Sequence, residues 1–142
     1  MSDIAEGRMS FSLSYGDCDM VGIAYFDIYY RWMERTYTGW LYSHGLRSGQ
    51  IREDLGVLIA GVSSGCDYHA PATVFDELTC QAGLARMSTS SYRIEFGFTR
   101  DDQPITTGQM TFACRTPEWA KAPVPDRLAE LLGTLPVRQV SV

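Results

Sequence analysis

The sequence predicts an α+β fold, in which an antiparallel sheet packs on one dominant helix. Three observations lead to this class. The longest helical pattern covers residues 25–44, an alternating strand pattern precedes it, and four segments of strand character follow it. A chain of 142 residues is long enough for one domain with a substantial core. We therefore expect a single domain over 1–142, with its core at about 8–116 and a C-terminal extension at 117–142.

The first predicted element is a strand over residues 9–15, where apolar and polar side chains alternate at every step. This alternation would place four residues on the inner face of a half-buried strand. They are Met9, Phe11, Leu13 and Tyr15. Gly16 ends the pattern, and a loop that contains Asp17 and Asp19 leads from there to the predicted helix.

The predicted helix covers residues 25–44 and has a wide apolar stripe at about 100° per residue. The stripe consists of Phe26, Tyr30, Met33, Tyr37, Trp40, Leu41 and His44. Gly45 follows at the position where a glycine commonly ends a helix. A stripe of this width implies that the helix is heavily buried.

The remaining chain is predicted to form four strands, joined by turns rich in Ser, Asp and Pro. The predicted strands lie at 57–68, 78–84, 92–99 and 109–114, and short helices are expected near 50–54 and 126–132. One helix covers only one face of a sheet. We therefore expect the other face or a sheet edge to meet a second subunit.

Composition excludes several classes of function. The net charge of −5 argues against nucleic acid as the main partner. The four cysteines have no close pairs and no metal-type spacing, and the two histidines are isolated, so we expect reduced thiols and no metal site. No segment resembles a signal peptide or a membrane span, and we therefore expect a cytoplasmic protein.

The stretch at 15–30, which begins where the alternating pattern ends and finishes where the helical pattern starts, is the best candidate for chemistry. Free backbone N–H groups at a helix start stabilise a developing negative charge. A carboxylate opposite them could attack a polarised carbonyl or activate water against it. Asp19 is the first candidate and Asp17 the second. From the residues alone, an Asx turn or a helix cap is an open alternative for Asp19.

The sequence resembles the hotdog-fold acyl-CoA thioesterases of the 4-hydroxybenzoyl-CoA thioesterase type. The resemblance lies in residues 15–26, which read Tyr-Gly-Asp-Cys-Asp-Met-Val-Gly-Ile-Ala-Tyr-Phe, and in the aromatic helix start at 29–32. The family pattern is an aromatic residue, a spacer, Asp, a small residue, Asp, two spacers and Gly, and the order of elements over 8–116 fits as well. Weaker likenesses occur at 67–71 and 76–78.

The resemblance implies a five-stranded antiparallel sheet wrapped around the long helix. It also implies a homodimer formed edge to edge, often paired again into a homotetramer, with the active site at the dimer interface. Asp19 would be the catalytic carboxylate, as nucleophile or general base. The backbone N–H groups of Tyr25 and Phe26 would bind the thioester oxygen. Asp17, Gly16 and Gly22 would support the loop, and no metal or redox cofactor is implied, because coenzyme A enters as part of the substrate.

Substrate-binding residues are expected in two places. The aromatic Tyr30 and the pair Tyr68 and His69 are candidates for the acyl pocket. A branch of the family grips CoA phosphates with a basic cluster at the turn between the third and fourth strands. Here that turn offers only Arg86 with Ser88, Thr89 and Ser90. This departure raises the alternative of a pantetheine arm on an acyl carrier protein.

The predicted function is hydrolysis of an acyl-CoA thioester with an aromatic or short acyl group. A dehydratase of the same fold normally uses a catalytic His, and none occurs at 15–30. A non-catalytic acyl-thioester binding module remains a second alternative. Glu34 on the predicted helix is a further carboxylate, for which an ion pair with a neighbouring Arg is the favoured role.

Overall fold

The computed structural model describes residues 3–138, and its elements follow the predicted order. The chain forms β1 (Arg8–Ser12), α1 (Ile28–Ser43), α2 (Ile51–Leu55), β2 (Leu58–Tyr68), β3 (Glu77–Met87), β4 (Ser91–Arg100), β5 (Gln103–Arg115) and α3 (Asp126–Leu132). Short 3-10 turns occupy Ile4–Glu6 and Tyr15–Asp17. The α+β class is confirmed.

The five strands form one antiparallel sheet in the order β1-β3-β4-β5-β2. Phe11 pairs with Leu78, Ala82 pairs with Phe96, and these registers continue the alternation seen in the sequence. β2 pairs with β5 along almost its whole length and has no neighbour on its other side among residues 3–138. β2 is therefore an open edge strand.

Helix α1 packs on the inner face of the sheet. Met33, Trp40 and Leu41 are fully buried on it, and they meet the buried side chains of β4 such as Phe96. The helix approaches β5 so closely that a Cβ at Gly108 would overlap the sulfur of Met33. A side chain at Gly108 would therefore require the Met33 side chain to move.

The first strand ends earlier than the sequence pattern predicts. β1 stops at Ser12, and Tyr15 lies in a 3-10 turn with 83% of its surface exposed. The turn forms because Ser14 and Asp17 cap it reciprocally, which overrides the alternating pattern.

The helix begins at Ile28 instead of residue 25, and Phe26 and His44 are exposed instead of lying on the buried stripe. Tyr29 and Thr36 are buried in their place. The cause is local, because the N–H of Tyr25 donates to the carbonyl of Asp17 (2.9 Å) and ties this residue to the loop.

The C-terminal extension packs on the same core. Leu128, Leu132 and Leu135 are buried with the residues of the sheet and α1. Beyond them the chain runs beside β3, where Leu84 N–H donates to Pro136 O (2.8 Å) and Arg138 N–H donates to Leu84 O (2.9 Å). These bonds occupy the part of the β3 edge that lies past the end of its pairing with β1.

All four cysteines are free thiols, as predicted. Among the helices formed by residues 3–138, none has both the length and the apolar character required to cross a membrane.

Candidate active site

Asp17 holds the first half of the loop between β1 and α1. Its Oδ2 accepts hydrogen bonds from the N–H (2.9 Å) and the hydroxyl (3.1 Å) of Ser14. Its own N–H donates to Ser14 O (3.0 Å). Gly16 lies inside this turn without a positive φ, so its backbone conformation does not require glycine. The carboxylate of Asp17 is thus occupied within the loop, in agreement with a supporting role.

Asp19 lies at a second turn and is half-buried. Its Oδ1 accepts the N–H of Val21 (2.9 Å), its carbonyl accepts the N–H of Gly22 (2.9 Å), and its N–H donates to Ile23 O (2.9 Å). Gly22 has φ +89°, a conformation that favours glycine. The Asx turn foreseen as an alternative is therefore present. Oδ2 of Asp19 accepts no hydrogen bond from residues 3–138 and is available for chemistry.

Asp19 lines a cavity of about 450 Å³ between the loop, the start of α1 and the end of β2. This volume lies within the range of small-molecule sites. The other lining residues are Ile23, Ala24, Phe26, Tyr29, Tyr68, His69, Ala70, Pro71 and Ala72. The cavity therefore combines one carboxylate with aromatic and small apolar walls.

The start of α1 offers unpaired backbone donors next to this cavity. The N–H groups of Phe26 and Asp27 donate to no acceptor among residues 3–138, whereas the N–H of Tyr25 is used by Asp17 O. Of the two predicted donors, Phe26 is thus the one whose N–H is free. The positive end of the helix dipole lies at the same place.

Tyr68 fixes the backbone at this helix start. Its hydroxyl donates to Phe26 O (2.8 Å), and its ring lies 5.6 Å from that of Tyr29. Desolvation, with smaller contributions from Cys66 and Tyr30, raises the pKa of Tyr68 to about 12. The hydroxyl therefore stays protonated and remains a donor at neutral pH.

The other predicted acyl-pocket residues lie on two sides of Tyr68. His69 lines the cavity, and its Nε2 lies 2.9 Å from the hydroxyl of Thr107. Tyr30 is half-buried beside Cys66 and Tyr68 but is not among the lining residues, and desolvation raises its pKa. Tyr68 and His69 thus line the same cavity as Asp19, whereas Tyr30 does not.

The β3–β4 turn lies far from Asp19 within one chain. The loop contacts the segment just before β3, whereas the turn follows the end of this 11-residue strand. At about 3.3 Å per residue the separation is roughly 30 Å. Arg86, Thr89 and Ser90 lie at that far end, and the hydroxyl of Ser88 bonds that of Ser91 (2.7 Å). One chain alone does not bring these residues to the cavity.

Sequence reasoning missed one wall of the cavity. Ala70, Pro71 and Ala72 form this wall. The likeness at 67–71 pointed to the segment, but small apolar residues have no chemical signature of their own. The contact follows from the pairing of the two loops, in which Ala24 N–H donates to Ala72 O (2.8 Å).

Residues 13–132 match the thioesterase-like superfamily, and the chain belongs to this family. The match covers the loop, the long helix, all strands from β2 to β5, and α3. The predicted resemblance to hotdog thioesterases is therefore confirmed, and the family is one of thioester hydrolases.

Individual relatives agree with this family. The chain is 25% identical over 106 residues to a 1,4-dihydroxy-2-naphthoyl-CoA hydrolase of Synechococcus sp. (strain CC9605), and the match covers 71% of each chain. Among solved structures, a 1,4-dihydroxy-2-naphthoyl-CoA thioesterase from Synechocystis superposes with a TM-score of 0.80 at 22% identity, covering 89% of this chain and 94% of that one. A gentisyl-coenzyme A thioesterase gives 0.75 at 21% identity, with coverages of 88% and 98%. The hotdog fold is thus shared with these structures.

Proposed function

We propose that this protein hydrolyses acyl-CoA thioesters with aromatic or short acyl groups to the free acid and the free thiol. The observation that supports this most is a pairing within one cavity. Asp19, whose Oδ2 accepts no hydrogen bond from residues 3–138, and Phe26, whose backbone N–H donates to none of them, both line the same 450 Å³ space. A thioester carbonyl between them would meet a nucleophilic or basic carboxylate on one side and a hydrogen-bond donor on the other.

The proposed reaction uses both groups. The carbonyl oxygen accepts the N–H of Phe26, and the helix dipole stabilises the negative charge that develops on it. Asp19 either attacks the carbonyl carbon or removes a proton from a water that attacks it. The C–S bond then breaks and the thiolate leaves. After attack by water this step gives the product acid directly. After attack by Asp19 it gives an anhydride of Asp19, whose acyl–oxygen bond water then cleaves to release the acid and the free carboxylate. A thiolate is a good leaving group, so the reaction needs no metal or redox cofactor.

Tyr25 has a different part in this proposal from the one predicted. Its N–H bonds Asp17 O, and this bond joins the supporting turn to the start of the helix. We therefore assign the oxyanion contact to Phe26 alone. One such donor is worth about 3 kcal/mol in the transition state.

An aromatic acyl group fits the walls of the cavity. Tyr29, Tyr68 and Phe26 present rings there, and aromatic rings favour stacked or edge contacts with one another. The relatives named above act on dihydroxynaphthoyl-CoA and gentisyl-CoA, which are both aromatic thioesters. We therefore expect a preference for aromatic over long aliphatic acyl groups.

A carrier-bound thioester is the second candidate. The β3–β4 turn supplies one exposed Arg, and its serine hydroxyls bond each other. This turn therefore gives little charge for the phosphates of CoA. A non-catalytic binding module is the third candidate, and it requires Asp19 to be dispensable.

We further propose that two copies pair through β2. Residues 61–64 of this edge strand are exposed, and an open edge pairs readily with another strand. An antiparallel twofold pairing would place the Tyr68 end of one β2 beside the Leu58 end of the other. The β3–β4 turn of the second copy would then lie at the same end as Asp19 of the first. Such dimers could pair again into tetramers, and we expect the protein in the cytoplasm.

The test follows release of free thiol from benzoyl, hydroxybenzoyl, phenylacetyl, short aliphatic and long aliphatic CoA esters, and from the same acyl groups on a carrier protein. Wild type, Asp19→Asn and the control Asp101→Asn are compared. Asp101 lies in the β4–β5 turn with φ +49°, which Asn tolerates, so this control should keep full activity. We expect Asp19→Asn to lower kcat by at least about 100-fold while the acyl-CoA still binds. Full activity of Asp19→Asn would refute the assignment of the catalytic carboxylate.

A further inference from the structure

Arg100 and Asp76 form a short, partly buried ion pair beside the cavity. Nη1 of Arg100, the last residue of β4, lies 2.6 Å from Oδ2 of Asp76. The same nitrogen donates to Pro71 O (3.2 Å), and Nη2 donates to Gln103 Oε1 (3.1 Å). One guanidinium therefore joins the segment before β3 to the β4–β5 hairpin.

Asp76 also forms hydrogen bonds within its own segment. Its Oδ2 also accepts the N–H (2.8 Å) and the hydroxyl (3.3 Å) of Thr73. The Thr73 N–H, together with Arg100, lowers the pKa of the Asp76 carboxyl, so the ion pair persists at neutral pH. The result is a closed turn over residues 73–76 that is held from outside by Arg100.

This turn is bonded to both ends of the loop that contains Asp19. At the start of the loop, Leu13 N–H donates to Asp76 O (2.9 Å) and Phe75 N–H donates to Leu13 O (2.8 Å). At its end, Ala24 N–H donates to Ala72 O (2.8 Å), and Ile23 pairs with Thr73. The position of the loop therefore depends on the segment 71–76.

The backbone of Phe75 indicates that this segment is firmly held. Phe75 has φ +71° and an exposed fraction of 87%, so no buried packing of its ring stabilises the left-handed conformation. Bulky residues keep such a conformation only where their surroundings impose it. The hydrogen bonds of Asp76 on one side and of Leu13 on the other supply this constraint.

We propose that Arg100 and Asp76 are a pair of positioning residues for the proposed thioesterase site. Neither lines the cavity with Asp19. They act through the segment 71–76, whose residues Pro71 and Ala72 form one wall of the cavity and whose backbone fixes the loop at both ends. This inference rests on the proposed function for its effect on rate, and on the hydrogen bonds alone for its effect on loop order.

The kinetic test compares Arg100→Gln, Arg100→Lys and Asp76→Asn with wild type. Because displacements of about 1 Å cost large factors in rate, we expect kcat to fall by about 10- to 100-fold in Arg100→Gln, with a smaller change in KM. Arg100→Lys should restore part of the rate, since it keeps the charge next to Asp76 but loses the second nitrogen that bonds Gln103. Arg115→Gln is the matched control at the end of β5 and should leave kcat unchanged.

A double variant separates positioning from general loss of stability. If Arg100 acts through Asp19, Arg100→Gln should lower kcat little further in the Asp19→Asn background. If Arg100→Gln lowers kcat by the same factor in both backgrounds, the inference is contradicted. It is also contradicted if Arg100→Gln keeps a kcat within twofold of wild type while Asp19→Asn is inactive. In that second case the proposed function would stand.

Amide hydrogen exchange tests loop order without reference to activity. In Arg100→Gln the amides of Leu13 and Ala24 should exchange at least about 10-fold faster, while the core amides of β4 keep their protection. Unchanged protection of Leu13 and Ala24 would overturn the inference, even if Asp19 proved not to be catalytic.

Discussion

The hydroxyl of Tyr68 donates a hydrogen bond of 2.8 Å to the backbone carbonyl of Phe26. This bond connects the end of the edge strand β2 to Phe26, which lies two residues before α1 begins at Ile28. The proposed oxyanion donor is therefore held by a side chain that lies 42 positions further along the chain.

We expect Tyr68→Phe to lower kcat by about fivefold, which corresponds to the net value of about 1 kcal/mol for one hydrogen bond. The ring and its contact with Tyr29 are kept, so KM for an aromatic acyl-CoA should change little. The rate of thiol release measures the effect. Tyr42→Phe is the control, because Tyr42 is exposed and its hydroxyl forms no hydrogen bond with residues 3–138.

Gly108→Ala should destabilise the protein by about 2 kcal/mol, because the new methyl group would overlap the sulfur of the buried Met33 and force this side chain to repack in the core. Urea denaturation measures the change in the free energy of unfolding. The same substitution in a Met33→Ala background should cost less, since the obstructing side chain is gone. Equal costs in both backgrounds would contradict this account of the contact.

The hydroxyls of Tyr37 and Tyr92 share a buried hydrogen bond of 2.6 Å, and burial raises the pKa of both phenols above 10. In the unfolded chain these phenols ionise near pH 10, whereas in the folded protein they stay protonated above it. The unfolded state then binds fewer protons, so the free energy of unfolding falls as the pH rises above about 10, by up to about 1.4 kcal/mol per pH unit for each group.

Urea denaturation between pH 8 and 11.5 tests this dependence. Tyr92→Phe should show a shallower fall above pH 10, because one of the two linked groups is removed. It should also lose about 1 kcal/mol at pH 8, since the hydroxyl of Tyr37 loses its partner. A slope identical to that of wild type would exclude Tyr92 as a source of the alkaline instability.

Val62→Lys should convert the proposed dimer into a monomer. Val62 lies on the open edge strand with 56% of its surface exposed, and a lysine there places like charges near each other across a twofold axis. Sedimentation equilibrium measures the mass. Val137→Lys, at an exposed residue beside β3, should keep the mass of wild type. A dimer that survives Val62→Lys unchanged would place the interface elsewhere.

The centre of the fold was predictable because its periodicity is strong. Alternation over β3 and β4 and the stripe that contains Met33, Trp40 and Leu41 correspond to buried positions, and the alternating Met110 and Phe112 of β5 are partly buried against the same core. The ends of the elements were not predictable in the same way. Tyr15 and Phe26 fit these patterns by hydrophobicity, but both lie outside the regular elements. The Ser14–Asp17 cap forms a turn after β1 that contains Tyr15. The bond from Tyr25 N–H to Asp17 O keeps the chain before α1 in the loop, so Phe26 is not part of the helix.

In the candidate site, too, the residues that are close in sequence were predictable and those that are distant in sequence were not. Asp17, Asp19 and Gly22 are close in sequence and form a dense local pattern, so their loop could be found before the structure. Arg100 and Asp76 are 24 positions apart, and each taken alone resembles a surface charge. Their pairing depends on how the β4–β5 hairpin folds against the segment before β3, which no local pattern encodes. The wall of Ala70, Pro71 and Ala72 was missed for the same reason.

The backbone bonds between Leu84 and residues 136–138 reduce the exposed strand edge on the β1 side of this sheet. An exposed edge can pair with another copy, and repeated pairing leads to a fibre. On this side β1 has only 5 residues, its first residue Arg8 pairs with Asp3, and the C-terminal residues cover β3 beyond it. The 11-residue β2 is therefore the longer open edge, and a copy that paired with it would leave only short edges for further growth.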